Sequence, residues 1–409
     1  MYQNKEGSRI QLNRRQLFSA FGTICITAAC SGKADSLDRF IHQKMEAEHI
    51  PGVVAGFLKD GELDWVRAYG WADIERSIPI SADTLQNIGS ISKTFTTTAL
   101  MQLWEEGLFD LDDDVNQHLP FEIKHPLHPQ TEITFRHLLT HYAALRDGSA
   151  YGAHYKCADP SLSLEQWIRE YLLPGGSLYN AQENFEEWAP GESWRYCNVS
   201  YGLLAYLSEL ISKVPFEEYC QERIFKPLGM NATSWYLKNI DSSKHATPYT
   251  WIERGEARGP SWGGLPLGVV GSEQDPNAQD GFQANCLYNH PNFPDGFLRT
   301  SVSQLSRYLL TYLGGGSRGG YRLLKPETIS EHLLAEHCRG SEGKRTQGLT
   351  WYADDKIGEE LVWGHGGSDP GINTDVRMMP SLGIGAIAFT NTNGCGPGDI
   401  TRFILNEQF

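Results

Sequence analysis

The two ends of the chain read as strand and the middle reads as helix, and few folds accommodate that order. Near the start, residues 52–58 and 63–69 are apolar runs on either side of Lys59-Asp60-Gly61-Glu62. An Asp-Gly pair between two such runs predicts a tight β-hairpin. Near the end, residues 374–379 and 384–390 form a second pair around Pro380-Ser381-Leu382-Gly383. Between the pairs lie helical patterns at 90–107, 134–141, 163–173, 200–213 and 216–225, with flanking helices at 36–48 and 399–406. The predicted class is α/β, one antiparallel sheet built from both chain ends and flanked by helices, with a mainly helical lobe inserted.

At 409 residues, the chain is long enough for two domains or one two-lobed unit, and its 21% charged and 40% apolar content is that of a globular protein. No apolar run reaches the ~20 residues that span a bilayer. The net charge of −15 is the opposite of a phosphate-neutralising footprint, so nucleic acid is not an expected partner. Residues 1–30 have the layout of an export signal: the twin pair Arg14-Arg15, a short weakly apolar stretch, and Thr27-Ala28-Ala29 before Cys30. They read as a twin-arginine-like leader in which Cys30 is a possible lipobox cysteine, although Thr27 stands where a lipobox prefers Leu. Residues 31–409 would then be the folded domain, periplasmic or held to a membrane by lipid. Removing the leader takes away a net charge of +3 and leaves about −18. The remaining six cysteines show no CxxC, and their pairing is not legible.

The chemistry concentrates in three places. Ser90-Ile91-Ser92-Lys93 opens a helix, where a spacing of three puts the hydroxyl and the amine on one face. Burial and nearby cations lower a lysine pKa, and a neutral lysine can take the proton of a serine nucleophile. Tyr196-Cys197-Asn198 follows Pro190-Gly191-Glu192-Ser193-Trp194-Arg195 on a turn before an apolar helix. His365-Gly366-Gly367-Ser368 leads into the C-terminal strands, with glycines that admit close backbone approach.

Ser-x-x-Lys, Tyr-x-Asn and His-x-Gly in that order resemble the serine β-lactamase and DD-peptidase (penicillin-binding) superfamily. Class C β-lactamases, DD-carboxypeptidases and family VIII carboxylesterases are the nearest branches. The segments around 107–113, 133–141 and 226–230 extend the likeness from about residue 36 to the end. The resemblance implies Ser90 as acylated nucleophile, Lys93 as its base, and Tyr196, with a lowered pKa, as proton shuttle. It implies Asn198 on the substrate carbonyl and the N–H groups of Ser90 and Ser368 as oxyanion hole, with His365 and Gly367 beside the substrate. His365 stands where β-lactamases of this class carry lysine, and a partly charged imidazole favours an esterase or D-alanyl-D-alanine carboxypeptidase-like activity. β-Lactamase, acyltransferase and a non-catalytic penicillin-binding-type sensor are the alternatives; an adhesion module has only surface composition in its favour.

Other features read as structural. His137 and His141 have metal-ligand spacing without the glutamate of a metalloprotease helix, and Asp110, Asp112 and Asp114 lack the rest of a calcium loop. No metal or cofactor is expected. Cys197 reads as a packed residue. Ser341-Glu342-Gly343-Lys344 repeats the Ser-x-x-Lys spacing in a charged loop and reads as chance, as does the Gly-x-Ser-x-Gly match at 315–319. Residues 250–297 read as a long functional loop, the aromatics of 145–190 as walls of the pocket, and Trp351 and Trp363 as pocket residues.

Overall fold

The computed structural model describes residues 33–257, 261–262, 265–266, 269–271, 279–340 and 343–408. The leader, Cys30 and Ser341-Glu342 lie outside these. The helices that matter here are α1 (Lys33–Glu48), α2 (Ser92–Glu105), α3 (Leu164–Leu172), α4 (Val199–Ser212), α5 (Val302–Leu313) and α6 (Pro397–Asn406). The long strands are β1 (Gly52–Lys59), β2 (Glu62–Asp73), β3 (Tyr352–Ile357), β4 (Glu360–Asp369), β5 (Ile372–Met379) and β6 (Ile384–Thr390). They form one antiparallel sheet in the order β3-β4-β5-β6-β1-β2, extended by short strands at each edge. The two ends meet where β1 pairs β6, from Val53 opposite Thr390 to Leu58 opposite Gly385.

Alternation along the strands divides the interior. Val53, Ala55 and Phe57 of β1 join Ala386 and Ala388 of β6 beneath α1 and α6. Val54 and Leu58, with Ile387 and Phe389, face the opposite way into the larger core containing α2, α4 and α5. Successive strand side chains point to opposite faces, so one apolar strand supplies both layers. The β1–β2 turn follows its sequence signature: Asp60 and Gly61 both adopt positive φ, +52° and +77°. Thr134 and Ser163 cap the helices that follow them through reciprocal capping boxes, with His137 and Gln166 as partners.

Three readings change. Residues 250–297 are not simply loop: Tyr249–Glu253 pairs with Glu256–Ala257 and Gly281–Ala284 in a small sheet, where Trp251 meets Phe282 at 5.0 Å between ring centroids. Aromatic cross-strand pairs of this kind stabilise a sheet that the Gly and Pro content of the segment conceals. Helix α5, capped by Ser301 on the Gln304 N–H, lies outside the helices the sequence pattern predicts. So does the full extent of β4, which contains the whole 363–368 motif. Cys157 and Cys286 form a disulfide that ties the 145–190 segment to the 250–297 segment. Among the described residues no helix is long and apolar enough to cross a membrane.

Strand β4 touches the chain before α2 backbone to backbone. A Cβ on Gly367 would sit 2.0 Å from the Ile88 carbonyl oxygen, and one on Gly89, at φ +53°, would sit 2.7 Å from the Ser368 nitrogen. Gly367→Ala is therefore expected to destabilise the fold by about 1–3 kcal/mol, read from urea unfolding midpoints. An unchanged midpoint would show that the strand and the turn are not in this contact.

Candidate active site

Ser90 lies on a single 3-10 turn, Gly89–Ile91, at the head of α2. That turn is pinned from several directions. The Gly89 N–H donates to Asn87 Oδ1 at 2.9 Å, Ser92 Oγ donates to the Gly89 carbonyl at 2.6 Å, and the Leu298 N–H donates to Ser92 Oγ at 3.1 Å. Thr374 of β5 donates its hydroxyl to the Ile88 carbonyl at 2.8 Å. Ser90 remains partly exposed, and Ser368, on the adjoining end of β4, is exposed.

One helical turn later Lys93 has no exposed surface. Its Nζ lies 3.0 Å from Ser90 Oγ, 2.7 Å from Asn198 Oδ1 and 2.7 Å from the Asp295 carbonyl oxygen. The rings of Tyr196 and Tyr201 stand 5.0 and 5.4 Å away. Burial is the largest influence on this amine and lowers its pKa, against the opposing pull of Asp295, Asp147 and Asp369. The helical spacing places Lys93 against the hydroxyl, and desolvation supplies the shift it needs.

Tyr196 also reaches Ser90 through its side chain, but its pKa moves opposite to the expectation. Burial raises it well above the ordinary phenol value, the Ser90 hydrogen bond only partly opposing this. His365 is likewise not partly charged. Burial depresses its pKa to about 3. Its Nδ1–H donates to the Gly366 carbonyl at 2.7 Å, which fixes the tautomer, while its buried Nε2 finds no partner among the described residues.

Asn198 is buried and heads α4. Its carboxamide is engaged at both ends: Oδ1 accepts from Lys93, and Nδ2 donates to Asp147 Oδ2 at 3.0 Å. Asp147 also accepts the backbone N–H groups of Asn198 and Val199 at 2.9 and 3.0 Å, so it caps α4 in place of an N-cap side chain. The structure thus brings Ser90, Lys93, Tyr196 and Asn198 into contact, with Gly367 and Ser368 against the turn that carries Ser90.

Sequence reasoning missed the carboxylates. Asp147, Asp295 and Asp369 are all buried around Lys93. Burial raises Asp295 to about 8 and Asp369 to about 7. Each is next to a glycine or proline in the sequence, where an aspartate reads as an ordinary turn residue. The aromatics of the 145–190 segment act differently from expectation. Tyr151, Tyr155, Trp167 and Phe185 are core residues, whereas Tyr179 and Trp188 are half-buried. Tyr151 and Tyr155 donate their hydroxyls to Asp295 Oδ2 at 2.5 Å and Asp369 Oδ1 at 2.8 Å. Trp351 and Trp363 are core too, not pocket. His137 is used in its capping box, His141 Nδ1 accepts the Cys197 N–H at 3.2 Å, Asp112 pairs with Arg136, and Asp114 caps a 3-10 turn. Cys197 is packed against Asp147. With its pKa near 3, the His365 imidazole is expected to show constant proton chemical shifts from pH 5 to 8; a titration near 6.5 would contradict its burial as a neutral ring.

Comparison with known proteins agrees with this fold. In structure, the chain is similar to D-amino acid amidase from Ochrobactrum anthropi SV3 complexed with L-phenylalanine, at TM-score 0.71 and 19% identity over 91% of this chain and 98% of that one. It is similar to the octameric penicillin-binding protein homologue from Pyrococcus abyssi at TM-score 0.69 and 24% identity, over 92% and 77%. In sequence it is 23% identical over 368 residues to Protein flp of Staphylococcus aureus strain N315, which covers 90% of this chain but only 65% of that relative's length. The Beta-lactamase family model matches residues 37–407, and the chain belongs to that family.

Proposed function

We propose that the protein is a serine hydrolase that forms and hydrolyses an acyl-enzyme on an ester or amide. The observation that carries this is the environment of Lys93. A neutral amine has two N–H groups and one lone pair, and Lys93 has two carbonyl acceptors, on Asn198 and Asp295, at 2.7 Å and one hydroxyl, on Ser90, at 3.0 Å. In that state the two N–H groups fill the acceptors and the lone pair receives the Ser90 proton.

In acylation, Ser90 Oγ attacks the carbonyl carbon while its proton passes to Lys93 Nζ, and the carbonyl oxygen takes up negative charge. The N–H groups of Ser90 and Ser368 receive that charge, held in place by the Gly89 and Gly367 contacts. When the bond to the leaving group breaks, Tyr196 gives that group its proton and takes up the one that Lys93 received from Ser90, so both side chains return to their starting state. A phenol of raised pKa stays protonated at neutral pH, which suits the donor role. Water attacks the ester in the reverse sense and restores Ser90. Asn198 holds Lys93 through its Oδ1.

The neutral His365 puts no cation where a β-lactam carboxylate would need one, which supports uncharged esters and amides over β-lactams. A second reading, a D-alanyl-D-alanine carboxypeptidase-like activity, has Arg345 in its favour. Its guanidinium stacks over Tyr352 at 4.3 Å, and Tyr352 lies 5.2 Å from His365. An acyl-enzyme can also be captured by an alcohol or amine, so transfer is a variant of the same chemistry. The intact Ser90, Lys93 and Tyr196 contacts support turnover over a sensor role.

We also propose that the chain is exported, to the periplasm or to a membrane through Cys30. The Cys157–Cys286 disulfide supports this, because such bonds persist in oxidising compartments. An uncleaved N-terminus in a purely cytosolic fraction would contradict it.

Hydrolysis of p-nitrophenyl acetate, D-phenylalanine amide, an acyl-D-alanyl-D-alanine peptide and nitrocefin tests the reading. The expected result is turnover of at least one of the first three, lost by about 10³-fold or more in Ser90→Ala. Lys93→Ala should cost about 10²–10⁴-fold. Since burial favours neutral Lys93, kcat/KM should rise with pH to a plateau whose midpoint lies below the ordinary lysine pKa. Activity unchanged in Ser90→Ala would overturn the proposal.

A further inference from the structure

The two donors of the oxyanion hole proposed above lie beside one buried carboxylate. Asp369 follows Ser368 directly on β4 and is 3% exposed. Its Oδ2 accepts from Asn87 Nδ2 at 3.3 Å, and the other end of that carboxamide, Oδ1, accepts the Gly89 N–H at 2.9 Å. Gly89 sits in the left-handed region, so its dihedrals decide where the next N–H, that of Ser90, points. One carboxylate is therefore one residue from the first donor and one side chain from the turn that aims the second.

The third partner comes from outside the sheet. Tyr155 donates its hydroxyl to Asp369 Oδ1 at 2.8 Å. The segment carrying Tyr155 is fastened next door. Lys156 and Asn289 exchange backbone hydrogen bonds at 3.0 and 2.8 Å, and Cys157 is bonded to Cys286. Lys93 and Arg299 are the basic groups nearest in influence to Asp369, and Asn87 also contacts the Tyr288 hydroxyl. Gly296, beside the Asp295 carbonyl that takes Lys93, lies next to this carboxylate: a Cβ there would be 3.5 Å from Asp369 Oδ2. A buried carboxylate is costly unless its oxygens are satisfied, and here Asn87 and Tyr155 satisfy one oxygen each.

We propose that Tyr155, Asp369 and Asn87 form a strut that sets the separation and aim of the Ser90 and Ser368 N–H groups, with Asp369 as its central positioning residue. The inference rests on the acyl-enzyme reading. Asp369 touches no substrate; it acts by holding the two backbone segments that do. The strut also joins the disulfide-tied outer segments to the reacting centre.

The chemistry of the strut permits a swap. In Asp369→Asn, an amide nitrogen facing Asn87 Nδ2 sets two donors against each other, and one facing Tyr155 makes that hydroxyl accept and strands its own hydrogen, so either orientation breaks one bond of the strut. Adding Asn87→Asp restores every bond. The carboxylate introduced at position 87 accepts from both the Gly89 N–H and the amide nitrogen introduced at position 369, whose amide oxygen keeps Tyr155. The test measures kcat/KM for p-nitrophenyl acetate and inhibition by phenylboronic acid, whose tetrahedral adduct on serine places an oxygen in the oxyanion hole. Asp369→Asn is expected to lower kcat/KM by about 10- to 100-fold and to weaken the boronic acid by a similar factor. The N87D/D369N double variant should recover most of both losses. Tyr155→Phe, which removes a single hydroxyl, should move both in the same direction by a smaller factor, with circular dichroism confirming the fold of each variant. The proposal is overturned if Asp369→Asn leaves both unchanged, or if the double variant is no better than the single one. Ester hydrolysis that Ser90→Ala does not reduce would instead remove the acyl-enzyme reading itself, which separates the two failures.

Discussion

Lys93 has no exposed surface, so each of its hydrogen-bonding positions must be met inside the protein, and the segments that meet them are far apart in sequence. Ser90 comes from the turn before its own helix, Asn198 from the head of α4, and Asp295 from the turn before α5. Three buried carboxyls close around the same amine. A lone buried charge would cost several kcal/mol, and the lowered pKa of Lys93 moves the amine toward its neutral form, the form that the proposed base role needs. The order of elements along the chain follows from assembling those partners around one point.

The sheet provides the fixed frame. Its centre is the pairing of β1 with β6, which joins the two chain ends and buries both faces. Strand β4 then runs along the turn that carries Ser90, and the glycines at 89 and 367 remove the side chains that would hold the two apart. The inserted helical lobe delivers Tyr196 and Asn198, while the disulfide-tied segments deliver Tyr155 from the far side. A rigid frame with partners arriving from separate loops is how many sites combine precision with variation in substrate.

Much of this is legible in the sequence. Strand-like runs at both ends with helices between them determine the sheet, because short apolar runs flanking an Asp-Gly turn have few other outcomes. Ser90 with Lys93 is legible because helical spacing is fixed, and the Tyr196 and His365 motifs because their order matches a family. The charge states are not. Tyr196 and His365 take their expected charges from the residues they resemble, whereas their pKa values are set by burial, a property of the whole fold. Asp147, Asp295 and Asp369 are hidden for a related reason: an aspartate beside glycine or proline looks like a surface turn, and only packing turns it inward. Tyr151 and Tyr155 stand out as aromatics suited to lining a pocket, but their hydroxyl partners lie 144 and 214 residues away.

The central claim is that Ser90 carries an acyl group during turnover. The most direct measurement is intact-mass spectrometry of the protein mixed with p-nitrophenyl acetate and quenched in acid within the first turnovers, followed by peptide mapping. The account expects one acetyl group per chain on the peptide containing Ser90, absent in Ser90→Ala. An unmodified chain during active hydrolysis, or a label on Cys197 or another residue that persists in Ser90→Ala, would contradict it.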